Sequence, residues 1–286
     1  IQAGIIYGLD AWPGEDDFDS ADIAANLSGS PVYSMSSRVS LDLRPRSYLR
    51  VRASLDSALD GSSLSMQNPR LQELFVDYTV ADNYFFRIGQ QVATWGQGRL
   101  LGNPANFPSD IAGKVSVKLF VPVGSNGLTS IVSAYPAGTV NTGSLQYMAL
   151  LDGAVGDLTL GVSGRFSPRE AARAAVFLKS AIGSVDLGLE TVGSWHVDRA
   201  IGQTNPSLVT LINGFWENAN GQWQVLAEYR FDTDVPEFMG HRLGLALRPP
   251  VFRGSDFRPG FRWFHAFADN TGQFVLGLEG TVAPIL

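Results

Sequence analysis

The stretch that decides the fold is residues 33–59, YSMSSRVSLDLRPRSYLRVRASLDSAL. From Tyr33 to Leu43 the odd positions are mostly apolar, whereas the even positions hold Ser, Arg or Asp. We predict a tight turn at Arg44-Pro45-Arg46, after which the alternation starts again. Since successive side chains of a β-strand point to opposite faces, the stretch predicts two strands, each with one apolar and one charged face.

The same alternation continues through most of the chain. Such segments, with apolar side chains on one face and Arg and Asp on the other, are typical of a transmembrane β-barrel. Only 17% of the residues are charged, whereas about 25% is usual in soluble proteins. No run approaches the roughly 18 apolar residues of a membrane helix. We therefore predict an all-β fold, a transmembrane antiparallel up-and-down β-barrel.

Counting the alternating segments predicts about sixteen strands, and fourteen is the alternative if the weakest segments are not strands. The predicted spans are 2–12, 31–43, 47–59, 71–80, 84–95, 114–121, 128–135, 144–152, 158–166, 171–179, 185–197, 207–217, 222–231, 239–248, 257–267 and 273–283. Short turns and longer loops generally alternate between them. This asymmetry is typical of bacterial barrels, with short turns on the periplasmic side and long loops outside.

Composition excludes several other classes of protein. No shift in composition divides the chain, so we expect residues 1–286 to form a single domain. Cysteine is absent, which excludes disulfides and thiol chemistry. The formal net charge of −6 gives no reason to expect a nucleic-acid partner.

Strand parity predicts where the charges point. It places fourteen of the 21 basic residues and eight of the 27 acidic residues on the polar faces, a balance of 14 − 8 = +6. Each Arg or Lys on the lipid side at mid-membrane would cost roughly 2–4 kcal/mol. The charged faces must therefore line the interior, and a barrel of about sixteen strands leaves an aqueous channel there.

Many of the remaining acids cluster in predicted loops. The clusters are Glu15, Asp16, Asp17, Asp19 and Asp22 in the first long loop, and Asp232, Asp234 and Glu237 in another. Such oxygen clusters hold Ca²⁺ in some proteins, but this spacing fits no EF-hand loop. We expect a solvated acidic rim and no cofactor; a loosely bound Ca²⁺ at these outer loops is the alternative.

Enzyme chemistry finds little support in the sequence. Gly96-Gln97-Gly98 lacks the spacing of a phosphate-binding loop. The three histidines, His196, His241 and His265, are scattered over distant strands. Ser194 and His196 share a strand face, but a lone polar pair in a serine-rich wall is far more often structural. We predict that the protein is not an enzyme and has no metal site.

The whole chain resembles bacterial outer-membrane porins of the general, sixteen-stranded type. The resemblance lies in the architecture, and in the segment from Arg87 through Trp95-Gly96-Gln97-Gly98 to Asn103-Pro104. In such porins the loop between strands five and six folds into the barrel and narrows it. Here the resemblance implies that residues 96–113, GQGRLLGNPANFPSDIAG, form this constriction loop. Arg99 and Asp110 would then reach the lumen.

The resemblance implies a passive channel in the bacterial outer membrane for small hydrophilic solutes. The inward charges predict a weak preference for anions, since rings of charge set selectivity. The alternative for any single arginine is a structural ion pair with an inward carboxylate. The predicted pore-lining and constriction residues are Arg38, Arg50, Arg52, Arg87, Arg99, Asp110, Asp42, Asp56, Glu73, Asp77, Lys114 and Lys118.

The expected partners follow from the same resemblance. They are outer-membrane lipid and lipopolysaccharide, the permeating solutes, and two further copies of the chain in a homotrimer. Small residues at Ala171, Ala172, Ala174 and Ala175 would allow close contact between copies. Two other functions stay open, a substrate-specific outer-membrane transporter and a structural or adhesive surface barrel.

Overall fold

The computed structural model describes residues 2–10, 34–60, 65–66, 68–111, 114–134, 145–168, 170–195, 207–233, 240–252, 257–268 and 270–280. The chain divides into two compact units. Unit one comprises residues 1–93, 108–122 and 129–146, and unit two comprises residues 94–107, 123–128 and 147–286. Several predicted features lie outside the described residues, among them the first acidic loop, Asp234, Glu237 and His196.

The described residues contain seventeen strands. They are β1 (Gln2–Asp10), β2 (Ser34–Arg46), β3 (Leu49–Asp60), β4 (Ser65–Met66), β5 (Arg70–Val80), β6 (Tyr84–Gln90), β7 (Val115–Val123), β8 (Asn126–Ala134), β9 (Leu145–Val155), β10 (Leu158–Phe166), β11 (Ala172–Ile182), β12 (Val185–Trp195), β13 (Ser207–Glu217), β14 (Gln224–Asp232), β15 (Arg242–Arg248), β16 (Phe257–Ala266) and β17 (Thr271–Gly280). All except the two-residue β4 are seven residues or longer, which agrees with the prediction of about sixteen.

Within each unit, strands that follow one another in sequence pair antiparallel, except that β5 pairs with β3 instead of the two-residue β4. In unit one the pairs are β1–β2, β2–β3, β3–β4, β3–β5, β5–β6 and β6–β7. In unit two each strand from β9 to β16 pairs with the next. This order confirms the predicted all-β, antiparallel, up-and-down class.

The alternation in the sequence reappears as alternation in burial. In β5, Leu74 and Val76 are 48% and 38% exposed, whereas Phe75 between them is 2% exposed. In β10, Val162 is 56% exposed and the neighbouring Ser163 is 3% exposed. The exposed face of these strands is thus apolar, and the covered face carries polar side chains such as Ser163 together with Phe75. A soluble protein places these two classes the other way round.

The predicted turn at Arg44-Pro45-Arg46 is wrong. β2 continues to Arg46, and the chain reverses at Ser47 and Tyr48. The strand register shifts between Leu43 and Arg46. This irregularity accommodates Pro45, which has no N–H to donate to a neighbouring strand.

Two other strand boundaries differ from the prediction because the turns after β9 and β11 are shorter than predicted. β9 and β10 are joined by Gly156 and Asp157 alone, and β11 and β12 by Gly183 and Ser184. Both glycines have positive φ, near +60°, as two-residue hairpin turns require. β6, in contrast, ends at Gln90 instead of residue 95. The next side chain, Gln91, is buried and donates a hydrogen bond to Ser116 Oγ at 2.7 Å.

The described residues contain one helical segment, the 3-10 helix Phe107–Ile111. No helix in the described part of the chain is long and apolar enough to cross a membrane.

Candidate functional site

Four charged side chains form a row across unit one. Arg50, Asp77, Arg87 and Lys118 occupy matching register positions on β3, β5, β6 and β7. Arg87 Nε lies 2.6 Å from Asp77 Oδ1, and the Arg87 guanidinium stands 3.9 Å from the ring centroid of the buried Phe75. With three cations and one carboxylate, this row is positive. We call the surface that carries it polar face one.

Each arginine predicted to line the pore in unit one has a carboxylate partner. The pairs are Arg38–Asp56 at 2.6 Å, Arg50–Asp42 at 2.5 Å, Arg52–Glu73 at 3.1 Å and Arg87–Asp77 at 2.6 Å, and Arg50 also lies 3.6 Å from Asp77. These contacts are the structural ion pairs that the sequence left open as an alternative. Lys118 forms no ion pair within the described residues.

The segment after β6 contributes a loop to unit two. Residues 95–105 lie on the face of the β9–β17 sheet that carries Glu190, Leu211 and Glu228, which we call polar face two. Glu190 of β12 is 0% exposed. Its Oε2 accepts the Gln97 N–H at 2.7 Å, and its Oε1 accepts the Ala105 N–H at 2.6 Å. One carboxylate thus holds two points of the loop that are eight residues apart.

A second buried carboxylate holds the tip of the loop. Glu228 of β14 is 1% exposed. Its Oε1 accepts the Arg99 N–H at 2.6 Å, and its Oε2 accepts the N–H groups of Leu100 and Leu101, both at 2.8 Å. Consecutive N–H groups that converge in this way form an anion-binding concavity. The loop therefore supplies donors, and the sheet supplies the anion.

These five hydrogen bonds explain how two carboxylates can be buried. A buried charge is costly unless it is hydrogen-bonded, and bonds to an ionised acceptor are roughly twice as strong as neutral ones. The loop N–H groups have no strand partners, so they need acceptors in the same place. The carboxylates thus provide the acceptors that the loop N–H groups need, and the N–H groups provide the donors that the carboxylates need.

Three further hydrogen bonds complete the attachment of the loop. Asn213 Nδ2 donates to the Gln97 carbonyl at 3.3 Å, and Gln97 Nε2 donates to the Leu178 carbonyl at 3.2 Å. Arg230 Nη1 donates to the Leu101 carbonyl at 3.0 Å. The loop is therefore bound to β11, β13 and β14 as well as to β12.

Glycines on the sheet make room for the loop. A Cβ added at Gly188 would overlap Gln97 Oε1, and one at Gly244 would lie 3.2–3.3 Å from Leu100 and Leu101. Within the loop, a Cβ at Gly98 would overlap the carbonyl oxygen of Gly102. The loop and polar face two thus fit closely at these glycines.

Comparisons with known proteins place this arrangement in a known architecture. No protein-family model matches the chain, and no curated protein matches it. Solved structures do match. A loop L8 deletion mutant of OmpT, an outer membrane protein of Vibrio cholerae, is 12% identical, with a TM-score of 0.59 over 96% of this chain and 95% of that chain. A multiply substituted mutant of the Rh. blastica porin is 10% identical, with a TM-score of 0.60 over 97% and 99%.

A third structure, the trimer form of in-vitro folded OmpT, is 12% identical, with a TM-score of 0.56 over 95% of this chain and 86% of that chain. These matches span nearly the whole chain. The fold is that of an outer-membrane porin. This similarity confirms the β-barrel architecture that the alternation and the resemblance predicted.

Within the porin fold, the predicted constriction residues occupy different settings. Arg99 lies in unit two, with its guanidinium 5.2 Å from the Phe215 ring centroid. Lys114 directly precedes β7 in unit one. The backbone of Asp110 lies in the 3-10 helix, and its side chain lies outside the described part of the structure. Asp232, predicted as a loop acid, ends β14 and lies 3.6 Å from Arg230.

Strand parity counts Glu190 and Glu228 among the eight acidic residues on the polar faces, but it does not distinguish them from the other six. Each partner in the loop lies far away in sequence; Glu228 is 129 residues from Arg99. One signal was present, since a Gly- and Pro-rich loop leaves many N–H groups without strand partners. That signal predicts acceptors but does not say which strand provides them. Within the described residues, no group of three or more His, Cys, Asp or Glu could hold a metal ion.

Proposed function

We propose that this chain is a porin of the bacterial outer membrane, with a water-filled channel for passive diffusion of small hydrophilic solutes. The observation that carries the proposal is the attachment of residues 97–105 to Glu190 and Glu228 on polar face two. A loop bound on the polar side of a porin-fold sheet occupies space in the channel and narrows it.

The charges on the two polar faces support a weak preference for anions. Parity gives a balance of +6 over both faces, but the ion pairs in unit one offset much of the charge on Arg38, Arg50, Arg52 and Arg87. The remaining selectivity would be modest, because paired charges attract a passing ion less than isolated charges do. Opposed charges in the lumen would also order water and disfavour apolar solutes.

The proposed partners follow from the fold. We propose that outer-membrane lipid and lipopolysaccharide surround the exposed apolar face, and that three copies associate; one of the matching structures is itself a trimer form. The function proposed here needs neither a cofactor nor enzymatic chemistry. The solvated acidic rim at the outer loops stays a prediction, with loosely bound Ca²⁺ as its alternative.

Conductance across planar lipid bilayers tests the proposal directly. The purified, refolded chain should insert and form stable open channels in KCl, with a reversal potential in a salt gradient that indicates weak anion preference. Complete absence of conductance would favour a structural or adhesive barrel. Permeation of one solute, with other small hydrophilic solutes of similar size excluded, would favour a substrate-specific transporter. Clear cation selectivity would contradict the charge assignment.

A further inference from the structure

A cavity of about 690 Å³ lies in unit one beside the turn between β2 and β3. Five basic residues and one acidic residue line the cavity. The basic residues are Arg44, Arg46, Arg50, Arg87 and Lys118, and the acid is Asp77, a balance of 5 − 1 = +4. Asp42, which pairs with Arg50 and Arg44, reduces the balance to +3. The cavity therefore has an excess of positive charge.

Two of these cations lie outside the ion pairs of the described residues. Arg50 and Arg87 share Asp77, and Arg44 lies 3.5 Å from Asp42. Arg46 and Lys118 form no ion pair with any described residue, and both line the cavity. A negative ligand would find them available without first breaking an existing pair.

Aromatic side chains lie next to the charged row. Two residues further along the same strands, Thr79, Phe85 and Phe120 form a second row at matching register positions. The rings of Phe85 and Phe120 lie 5.9 Å apart, tilted by 40°. Two residues along a strand separate the rows by about 7 Å. Charged and aromatic residues thus line neighbouring parts of the cavity.

This juxtaposition selects a class of ligand. A small inorganic anion would use the cations and leave the rings in contact with water. An aromatic ring that bears one carboxylate matches both rows, since ionised donors bind the carboxylate and aromatic rings pack at centroid distances of about 4.5–7 Å.

We propose that the cavity binds an arylcarboxylate, with its carboxylate at Lys118 and Arg46 and its ring against Phe85 and Phe120. The proposal deepens the proposed function and rests on it for the ligand's route through the lumen. An organic anion held in this way would be retained on its way through the channel, so the chain would favour aromatic acids over other small solutes.

Isothermal titration calorimetry on the full chain, folded in detergent at low ionic strength, tests the site with benzoate as the probe. Benzoate should bind with saturation. Acetate, which lacks the ring, and benzyl alcohol, which lacks the charge, should each bind about tenfold more weakly or worse. Absence of saturable benzoate binding would overturn the proposal, and so would acetate binding of equal strength.

Variants assign the binding to these residues. Arg46→Gln with Lys118→Gln should weaken benzoate binding by about tenfold. The matched control, Lys179→Gln with Arg242→Gln, removes the same charge from unit two and should change it by less than about twofold. If both double variants weaken benzoate binding equally, the loss of net charge alone explains the effect, and the proposed site is wrong.

A third variant keeps the test independent of the cations. Phe120→Leu should weaken benzoate binding while leaving acetate binding unchanged, and circular dichroism should report an intact sheet. If Phe120→Leu changes neither benzoate nor acetate binding, the benzoate ring does not contact Phe120 and the proposal fails. The charge-conserving pair Arg46→Lys and Lys118→Arg should retain benzoate binding even if the glutamine variants fold poorly.

Failure of the site and failure of the channel are distinguishable. Calorimetry in detergent needs no open pore, so binding without conductance would contradict the proposed function and leave the site standing. Conductance without benzoate binding would contradict the binding site and leave the proposed channel standing.

Discussion

At the scale of single residues, carboxylate side chains have different roles in the two units. Asp56 is 30% exposed and pairs with an exposed arginine, whereas Glu228 is fully buried and accepts three backbone N–H groups. Exposed ion pairs contribute about 0–1 kcal/mol, but a buried hydrogen-bonded charge holds its partners strongly. The second kind of carboxylate should therefore matter more for the attachment of the loop.

Replacing Glu228 should release the tip of the loop. Glu228→Gln replaces one acceptor oxygen with an N–H₂ group that faces N–H donors, and we expect a loss of about 3 kcal/mol in the free energy of loop attachment. Single-channel recordings should show larger or noisier conductance. Glu217→Gln on β13 is the control, since it removes the same charge without contacting the loop. Identical, quiet traces for wild type and Glu228→Gln would contradict the anchoring role.

The Arg38–Asp56 pair should contribute little to stability. Both side chains are partly exposed, 46% and 30%, so water screens their attraction. A double-mutant cycle with Arg38→Ala and Asp56→Ala, measured by urea unfolding in detergent, should give a coupling free energy below about 1 kcal/mol. A coupling of several kcal/mol would show that this pair is a main structural contact.

At the scale of elements, the strands and the β6–β7 loop follow different rules. A strand is specified by local alternation, and β5 and β10 show in their burial the pattern that their sequences predict. The loop has no such period, and its conformation depends on contacts with four other strands. The 3-10 helix Phe107–Ile111 at its end is likewise absent from the sequence prediction.

Gly98→Ala should disrupt the loop without disrupting the sheet. The added Cβ would overlap the Gly102 carbonyl, which belongs to the backbone and cannot rotate away. Limited proteolysis should then cleave the chain between residues 96 and 105, because released loops are cleaved far faster than folded strands. Gly214→Ala is the control, since its Cβ would meet Leu187 at an ordinary 3.6 Å. Equal protease resistance of wild type and Gly98→Ala would refute the close fit.

At the scale of the whole molecule, selectivity is a sum over many charges. The polar faces carry a predicted balance of +6 in a chain whose net charge is −6. A field of this kind acts through water and is screened by salt, with a Debye length of about 10 Å at 0.1 M and about 3 Å at 1 M.

The proposed preference for anions should therefore fade as salt rises. Reversal potentials measured across a fixed tenfold KCl gradient should indicate anion preference when both solutions are dilute, and approach zero selectivity when both are concentrated. A preference that does not change with ionic strength would point to a narrow binding site as the cause. A preference for cations in dilute KCl would contradict the assigned balance of charge.

The sequence by itself determined the antiparallel class, the approximate strand number and the alternation of apolar and polar faces. These properties depend on residues one and two positions apart, and a period of two is visible in any segment such as 33–59. The turn around Pro45 escaped this reasoning, because a local irregularity in register leaves no periodic trace. Only the tertiary structure decided that Glu190 and Glu228 hold the loop, and that Arg46 and Lys118 form no ion pair with the described residues while lining one cavity with Phe85 and Phe120. Those outcomes depend on which distant backbone groups and charges reach one another, and alternation along a strand carries no information about that.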